Sequence, residues 1–513
     1  MDDAGFAVRG KDIALLRRIE ERVLWLASWT IHNANHLRDS RDGLKVGGHQ
    51  ASCASMTTLM TALYFAALRP QDRVAVKPHA SPVFHAIQHL YGRQTIDQLQ
   101  RFRSLGGAQS YPSRTKDIDD VDFSTGSVGL GVAMTAFASL TQDYLAARGA
   151  VKPDAMGRMI SLLGDAELDE GNIYEALIEA CKHDVRNTWW IVDYNRQSLD
   201  ATTSDRMFTR YGEIFEAAGW TVVTLKWSKR QREAFARPGG AALRTWIEHA
   251  PNDLYSALTY QGGGAWRERL TADLAGDKAA LKLVSGYSDE ELALVMTELG
   301  GHCLETVLEA FEEAARDDAP RFIIAYTVKG WRLPFAGHKD NHSGLMTPTQ
   351  IAQVRADLGV VEGQEWDMLS GLGDNETAAI RRLVETAPFA ARKDGRKVAE
   401  HIATPSADTL LKAVEGGGEQ STQAAFGKVM FEIAKGQDQF AGRVVTTSPD
   451  VTVSTNLGGF VNRRGVFHRR AHEDVFKRHR IPSAQVWTMG ETGQHIELGI
   501  AENNLFIALA ALG

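Results

Sequence analysis

Short apolar runs alternate along this chain with longer stretches in which apolar residues recur at helical spacing. The runs include residues 159–163 (MISLL), 188–192 (TWWIV), 220–224 (WTVVT) and 322–326 (FIIAY), whereas residues 13–26 show the helical spacing. Alternation of this kind is typical of a parallel sheet that is covered by helices. We therefore expect an α/β fold with parallel sheets flanked by helices.

Composition narrows the class of protein. The 513 residues, 44% of them hydrophobic, suffice for more than one core. The formal net charge of −7 argues against general nucleic-acid binding, which requires a basic surface. Cys53, Cys181 and Cys303 lie far apart, which fits a reducing compartment and predicts buried thiols rather than a disulfide framework or a zinc site.

The amino-terminal sequence is not expected to be a secretory signal. Residues 1–12 (MDDAGFAVRGKD) start with acidic residues and lack the apolar centre of a secretory signal. No run in the sequence reaches the roughly 20 apolar residues that a membrane-spanning helix needs. We therefore expect a cytoplasmic protein that does not contact a membrane.

A change in composition marks the expected domain boundary. Residues 391–422 are first charged and then rich in glycine, as interdomain linkers often are. We therefore place a first domain at residues 1–400, a linker at 401–420 and a second domain at 421–513.

The second domain has few predicted elements. Residues 423–435 favour a helix, residues 443–447 a strand, and residues 499–513 open another apolar helix. One strand and two helices could not cover a sheet. We therefore expect this domain to be incomplete and the sequence to be a fragment of a longer protein.

Polar residues cluster where two predicted strands end. Gly164 and Asp165 close the first strand, a helical pattern follows at residues 171–183, and Asn195 closes the next strand 30 positions after Asp165. In a right-handed strand–helix–strand unit both strand ends reach the carboxyl edge of the sheet, where ligands bind. Carboxylate and amide oxygens suit Mg²⁺ or Ca²⁺, and a cation holding a diphosphate would offset the local negative charge. Glycine followed by aspartate is, however, also favoured in ordinary turns.

The stretches GDAELDEG and DYNRQSLD together resemble the signature of thiamine diphosphate enzymes. Further stretches in the same order are similar to the homodimeric pyruvate dehydrogenase decarboxylating component, within the transketolase superfamily. These stretches include GGHQAS (47–52), VKPHASPVFHA (76–86), GGAQSYPSR (106–114), STGSVGLGVA (124–133), AYTVKGW (325–331) and STQAAFGK (421–428).

The resemblance implies thiamine diphosphate and Mg²⁺ as cofactors. Asp165 and Asn195 would supply side-chain ligands to Mg²⁺, and Gln197 a backbone carbonyl. Ala166 stands where the family usually has glycine, and its methyl group would crowd the phosphate, although its amide donor is retained. The other residues assigned to cofactor binding are Gly164, Gly126 and Ser127.

The resemblance also assigns catalytic roles to three histidines. His49 and His79 would line the substrate channel, and His342 would enter it from the loop GHKDNHSGLM. An imidazole suits this work because its pKa lies near neutrality, so it can steer a 2-oxo acid and transfer protons.

Two glutamates complete the implied site. Glu170 matches a glutamate in a proton network beside the cofactor, whereas Glu167 and Asp169 fit the pattern but are also compatible with solvated positions. Glu502, in GIAEN, matches the glutamate that bonds the cofactor's pyrimidine ring in the other subunit, which implies a homodimer.

Three functions remain open from the sequence. The first is oxidative decarboxylation of a 2-oxo acid, expected to be pyruvate with 2-oxobutyrate and 2-oxoglutarate as options, followed by acyl transfer to a lipoyl-bearing partner. The second is a transketolase that moves two-carbon units between sugar phosphates, for which the basic residues 463–480 are a candidate phosphate site or a solvated surface. The third is a non-catalytic or incomplete fragment.

Overall fold

The computed structural model describes residues 10–39, 43–198, 201–393, 400–415 and 418–513. Most of the acidic amino-terminal stretch and part of the predicted linker lie outside the described residues. Two compact units can be distinguished, and each is described by itself. Unit 1 comprises Met1–Val132, Gly157–Glu170 and Asn187–Lys393, and unit 2 comprises Ala133–Met156, Gly171–Arg186 and Asp394–Gly513. The domain limits expected from the sequence stay a prediction.

Unit 1 is built on a five-stranded sheet in which every neighbouring pair is parallel. The strand order is β1-β2-β3-β7-β6, and a separate two-stranded hairpin pairs β4 with β5. The strands are β1 Arg73–Ala75, β2 Met159–Gly164, β3 Thr188–Tyr194, β4 Gln197–Ser198, β5 Ala201–Thr202, β6 Thr221–Leu225 and β7 Arg321–Tyr326. The four runs that predicted strands all form strands of this sheet, which confirms the expected α/β fold.

The three central strands explain why their sequences read as continuous apolar runs. Every residue of β2, β3 and β7 is buried, as expected for parallel strands covered on both faces, whereas the edge strand β6 is largely accessible. Trp190 of β3 packs edge-on against Phe215, whose ring stacks on Phe322 of β7 at 3.6 Å between centroids. This core fixes the carboxyl edge at which β2, β3 and β7 end.

Twenty-two α-helices occur among the described residues. The predicted helices at residues 13–26, 171–183, 423–435 and 499–513 are confirmed. No helix within the described ranges has the length and apolar character to cross a membrane. The helices are α1 Gly10–His32, α2 Gln50–Ala62, α3 Ser81–Leu90, α4 Ile96–Gln100, α5 Leu130–Ala147, α6 Gly171–Lys182, α7 Met207–Ala217, α8 Lys229–Ala236, α9 Gly240–His249, α10 Asn252–Gln261, α11 Gly263–Asp273, α12 Lys278–Ser285, α13 Asp289–Thr297, α14 Leu304–Ala314, α15 Pro348–Asp357, α16 Asp374–Thr386, α17 Ala407–Leu411, α18 Thr422–Lys435, α19 Gln439–Arg443, α20 Gly458–Arg464, α21 Val475–Arg478 and α22 Glu502–Leu512.

Several helices begin at side chains that cap their free backbone amides. Ser288 accepts the backbone N–H of Glu291 at 3.1 Å, and the Glu291 carboxylate accepts the N–H of Ser288 in return at 2.8 Å. Thr347 and Gln350 form the same reciprocal pair at the start of α15. Such capping boxes satisfy donors that the first helical turn leaves unbonded, so they fix where these helices start.

Unit 2 contains more sheet than the sequence predicted. Its four-stranded sheet has the order β10-β9-β11-β8 and its strands pair in parallel. The strands are β8 Thr446–Ser448, β9 Val466–Phe467, β10 Met489–Gly490 and β11 His495–Glu497. Only the first of them was predicted, from the run at residues 443–447, because the other three lie outside any apolar run. The short helix α17 lies inside the predicted linker.

The cysteines depart from expectation at one position. All three are free thiols; Cys53 and Cys303 are buried as predicted, but Cys181 is exposed. Cys181 lies on the amphipathic helix α6, whose outward positions a count of cysteines cannot identify.

A buried ion pair joins the starts of β1 and β2. Asp72 is fully buried and accepts hydrogen bonds from the backbone N–H of Arg158 at 2.8 Å and from its Nε at 3.0 Å. The Arg158 guanidinium also donates to the carbonyl of Ala67 at 2.6 Å and lies 4.4 Å from the centre of the Trp189 ring. The pair therefore locks the edge strand to the core of the sheet.

We expect Asp72→Asn to lower the free energy of unfolding of unit 1 by about 3–5 kcal/mol, because it leaves the Arg158 charge buried without its partner. Urea titration at pH 7 measures the change. Asp97→Asn, which breaks the exposed Arg101–Asp97 pair in α4, is the control and should cost less than about 1 kcal/mol. Equal losses in the two variants would contradict this assignment.

The same pair predicts a pH dependence. Burial alone would raise the pKa of Asp72, but the Arg158 guanidinium outweighs it and holds that pKa below its usual value. A carboxyl group whose pKa is lower in the folded than in the unfolded state stabilises the folded protein at pH values above its unfolded-state pKa. This stabilisation is lost as the pH falls through the folded-state pKa. The stability difference between Asp72→Asn and the unsubstituted protein should therefore shrink in acid.

Candidate active site

The predicted metal-binding residues lie where β2 and β3 end. After Gly164 the chain turns into a short 3₁₀ helix, Asp165–Asp169, and Asp165 is 3% exposed. One carboxylate oxygen of Asp165 accepts the backbone N–H of Arg196 at 2.7 Å, and the other accepts the N–H of Ala166 at 3.0 Å. The two segments that the sequence placed together at this edge are thus joined directly.

Asn195 and Gln197 form the opposite side of this junction. The side-chain oxygen of Asn195 accepts the backbone N–H of Gln197 at 3.0 Å, and its amide nitrogen donates to Asp193 at 3.2 Å. The side-chain amide of Gln197 donates to the carbonyl of Gly337 at 3.0 Å, whereas its Oε1 is buried without a hydrogen-bond partner among the described residues. An unused buried acceptor beside Asp165 is a feature that a bound cation or donor would satisfy.

A cavity of about 250 Å³ opens at this junction. It brings together most of the residues that the sequence singled out, including Glu170. Its lining residues are Ser52, Lys77, His79, Val128, Gly164, Asp165, Ala166, Glu167, Asp169, Glu170, Asn195, Gln197, Ser198, Lys329 and His342.

Four predicted site residues are not among the described residues that line the cavity. His49 is one of them, although its ring lies against those of His79 and His342. Gly126 and Ser127 are exposed and are not among the described residues that line the cavity, although their neighbour Val128 is. Glu502 belongs to unit 2, where it is the exposed first residue of α22. The roles expected for these residues stay predictions.

Carboxylates crowd the floor of the cavity. Burial, and then the neighbouring Asp193 carboxylate, raise the pKa of Asp165 to about 6 even though Lys77 opposes the shift. Glu167 is buried, not solvated, and accepts the backbone N–H groups of Gly129 at 2.7 Å and Gly164 at 3.1 Å. Burial also raises the pKa of Glu167. Such a cluster is costly without a positive charge close by.

Lys77 supplies part of the positive charge beside these carboxylates and was not predicted from the sequence. Its ammonium donates to Asp193 at 2.7 Å, and both side chains are buried. Ser55, at 2.6 Å, and Thr327 also donate to Asp193. Burial would raise the pKa of Asp193, but Lys77 outweighs it and the pKa is lowered. The available signal was an aspartate inside the apolar strand TWWIVDY, because a buried carboxylate requires a partner.

Gly164 makes room for this lysine. A Cβ atom placed on Gly164 would lie 3.2 Å from the Lys77 ammonium, which is closer than most side-chain contacts allow. The close approach of Lys77, and not only the turn after β2, therefore explains why position 164 is a glycine.

The three predicted histidines lie together, and two of them, His79 and His342, line the cavity. The ring centres of His49 and His79 are 4.2 Å apart, those of His49 and His342 5.0 Å, and those of His79 and His342 5.5 Å. Nδ1 of His49 lies 2.9 Å from the carbonyl oxygen of His342. The Lys329 ammonium lies 3.0 Å from Nδ1 of His342, which brings a positive charge to this cluster.

Two of these histidines, His49 and His79, have pKa values below the usual one. Burial, and then the proximity of His49 and Lys77, lower the pKa of His79 to about 2. Burial also lowers the pKa of His49. Both imidazoles are therefore uncharged at neutral pH, so each offers one N–H donor and one nitrogen acceptor for hydrogen bonds.

A buried asparagine positions the loop that carries His342. Asn341 is 2% exposed, and its amide donates to the carbonyls of Lys329 at 3.1 Å and Phe335 at 3.3 Å. The backbone N–H of Gly330 donates to the carbonyl of Ala51 in α2 at 2.9 Å. These bonds tie the loop to the segment after β7 and to the helix that follows His49.

The donor set fits a hard cation with an attached anion. Asp165, Asn195 and Gln197 line the cavity and offer oxygens of the kind that Mg²⁺ prefers, and the carboxylates outnumber the ammonium groups of the lining. One expectation is modified: the amide of Ala166, foreseen as a phosphate donor, is bonded to Asp165. Holding a phosphate there would require this bond to be exchanged.

Comparisons with known proteins agree with this geometry. Residues 48–237 match the family described as the thiamine diphosphate binding domain of transketolase. Over 512 residues the chain is 26% identical to the pyruvate dehydrogenase E1 component of Cupriavidus necator, covering 94% of this chain and 55% of the relative. It is 28% identical over 342 residues to the same component of Escherichia coli, covering 64% of this chain and 37% of the relative. The chain thus spans about half the length or less of these two relatives.

Solved structures support the fold. The transketolase from Leishmania mexicana superposes with a TM-score of 0.60 at 16% sequence identity, covering 97% of this chain and 62% of that one. At this identity the likeness establishes the architecture alone. Together with the sequence match, it confirms the resemblance on which the expected cofactor rests. Residues 48–237 are thus similar to the thiamine diphosphate binding domain of transketolase, within a chain that is similar to the pyruvate dehydrogenase E1 component.

Proposed function

We propose that this chain is the diphosphate-binding part of an enzyme that decarboxylates a 2-oxo acid, expected to be pyruvate, and passes the acyl group to a lipoyl-bearing partner. The main support for this proposal is that Asp165, Asn195, His79 and His342 line the same cavity. The similarity to pyruvate dehydrogenase E1 components supports decarboxylation in particular.

In this proposal the cavity floor holds the cofactor's charged end. Asp165, Asn195 and the carbonyl of Gln197 bind Mg²⁺, which neutralises the diphosphate and the carboxylate cluster together. Lys77 stays on Asp193 and keeps that carboxylate from competing for the metal. Thiamine diphosphate, when bound, supplies the electron sink for decarboxylation, and the protein supplies position and electrostatics.

The rim of the cavity receives the substrate. Since His49 and His79 are neutral, the positive charge that attracts a 2-oxo acid carboxylate comes from Lys329. The neutral imidazoles then hydrogen-bond the keto oxygen and move a proton at that atom. Glu170, which lines the same cavity, is proposed to take part in proton transfer.

Glu502 is proposed to act from a second copy of the chain. Placed against the pyrimidine ring, it would share a proton with a ring nitrogen and so activate the cofactor. This requires a homodimer in which unit 2 of one copy completes the site of the other.

The competing function is ketol transfer between sugar phosphates. The shared architecture with transketolases favours it, but architecture does not define the reaction. Carbon dioxide release from pyruvate and two-carbon transfer from xylulose 5-phosphate distinguish the two functions.

We expect Asp165→Asn to weaken binding of thiamine diphosphate with Mg²⁺ by at least about 100-fold, because removing one charged ligand costs several kcal/mol. Calorimetry of the full chain measures this. Asp357→Asn, an exposed position in α15, is the control and should leave binding unchanged. Unaltered binding by Asp165→Asn would contradict the proposed ligand set.

The same substitution should stabilise the ligand-free protein at pH 7. A carboxyl whose pKa is raised by folding costs stability as the pH rises from the unfolded value through about 6, and Asn carries no such cost. We expect a gain on the order of 1 kcal/mol at pH 7 that disappears near pH 4. Urea titrations at the two pH values test it, and a loss at pH 7 would contradict the raised pKa.

For activity, we expect pyruvate-dependent dye reduction and carbon dioxide release without ketol transfer. His79→Gln should lower kcat/KM by about 10²-fold through loss of proton transfer, while calorimetry shows cofactor binding retained. His479→Gln, an exposed histidine of unit 2, is the matched control. Ketol transfer without carbon dioxide release would overturn the proposed reaction.

A mixing experiment tests the role of Glu502. Glu502→Gln and Asp165→Asn should each be inactive alone, whereas a refolded mixture should regain activity. In mixed dimers one site combines an intact Asp165 with an intact Glu502. If the mixture stays inactive while each variant still forms dimers by light scattering, the shared-site arrangement is wrong.

A further inference from the structure

A second cavity lies along the same edge of the unit 1 sheet. It measures about 150 Å³ and its wall includes Tyr194, Lys226 and Tyr326, which end β3, follow β6 and end β7 respectively. Among the described residues it shares no lining residue with the candidate active site, which lies on the β2 side of β3. Parallel sheets bind ligands at this edge, so the position itself is suited to a second ligand.

Aromatic rings form the walls of this cavity. The ring centres of Tyr194 and Tyr326 are 4.9 Å apart, and Phe208 lies 5.3 Å from Tyr326, both pairs meeting edge to face. Tyr255 and Trp227 complete the aromatic lining. Walls of this kind offer apolar faces to a flat ring.

A partly buried lysine projects among these rings. The Lys226 ammonium lies 4.8 Å from the ring centre of Trp227, 5.3 Å from Phe208 and 5.5 Å from Tyr326. Within the described part of the chain no carboxylate forms an ion pair with it. Burial lowers the pKa of Lys226 to about 8; Glu248 opposes this shift and the neighbouring arginines add to it. An anion bound beside it would restore the full charge.

Two arginines add to the positive charge. The Arg196 guanidinium lies 4.6 Å over the ring of Tyr255, and its Nε is buried without a hydrogen-bond partner among the described residues. Arg206 is exposed at the mouth. Unsatisfied guanidinium donors are suited to the oxygens of a phosphate.

The two carboxylates in the lining are already engaged. Glu248 accepts a hydrogen bond from Arg244 at 3.1 Å, and Asp205 accepts the backbone N–H of Asn252 at 2.9 Å. Neither forms an ion pair with Lys226 or Arg206 among the described residues. With Arg196, Arg206 and Lys226 against these two carboxylates, the lining carries a net positive charge.

We propose that this cavity binds a phosphate monoester that carries a planar ring, as a nucleoside monophosphate does. Arg196, Arg206 and Lys226 take the phosphate, and the partly exposed rings of Phe208 and Trp227 take the planar ring. The site is separate from the proposed cofactor site and does not depend on the reaction assigned there.

Calorimetry of the full chain with AMP tests the proposal, and ribose 5-phosphate serves as the probe without a planar ring. We expect AMP to bind at least tenfold more tightly than ribose 5-phosphate. Lys226→Met should weaken AMP binding at least tenfold, whereas Asp165→Asn should not. Equal binding of the two probes, or no AMP binding, overturns the proposal.

Two further variants guard against loss of folding in Lys226→Met, whose side chain is partly buried. Arg206→Asn removes an exposed charge and keeps a residue that tolerates the positive φ of 59° at this position. Arg210→Gln, on the exposed surface of α7 outside the cavity lining, is its matched control. We expect Arg206→Asn to weaken AMP binding at least threefold and Arg210→Gln to leave it unchanged. If Arg206→Asn leaves the AMP affinity unchanged, or if Asp165→Asn abolishes AMP binding, the nucleotide binds elsewhere and the proposal is wrong.

Discussion

The candidate active site depends on how unit 1 accommodates a carboxylate inside its central strand. Asp193 lies in β3 with no access to water, so it is tolerable only because Lys77, Ser55 and Thr327 all donate to it. Those donors come from the segment after β1, from α2 and from the segment after β7. One buried charge therefore holds together the elements that surround the cavity, and Asp165 and Asn195 are positioned beside it.

The sequence predicted the frame of this site well, for physical reasons. Central parallel strands are buried on both faces, so their apolar runs identified β2, β3 and β7 without ambiguity. The parallel pairing of β2 and β3 brings Asp165 and Asn195 to the same edge of the sheet, where the amide of Arg196, next to Asn195, bonds Asp165. The clustering of His49, His79 and His342 came from the family resemblance alone, because nothing in their spacing reveals it.

Other features were beyond the sequence because they depend on long-range contacts. Lys77 and Asp193 are 116 positions apart, and Glu167 is buried only because Gly129 and Gly164 point their amides at it. The strands β9, β10 and β11 are too short to leave a periodic signal, so they form through pairing with neighbours and not through local preference. Aromatic residues such as Tyr326 and Trp227 read as core, and only the structure shows that they border a cavity.

Arg196 contacts both the candidate active site and the aromatic cavity. Its amide holds the Asp165 carboxylate, while its guanidinium reaches the aromatic cavity on the other side of β3. A displacement of Arg196 would therefore change the geometry of both cavities. By thermodynamic linkage, the coupling between the two cavities is reciprocal. If a ligand in the aromatic cavity changes the affinity of the candidate active site for its ligand by some factor, that second ligand changes the affinity of the aromatic cavity by the same factor.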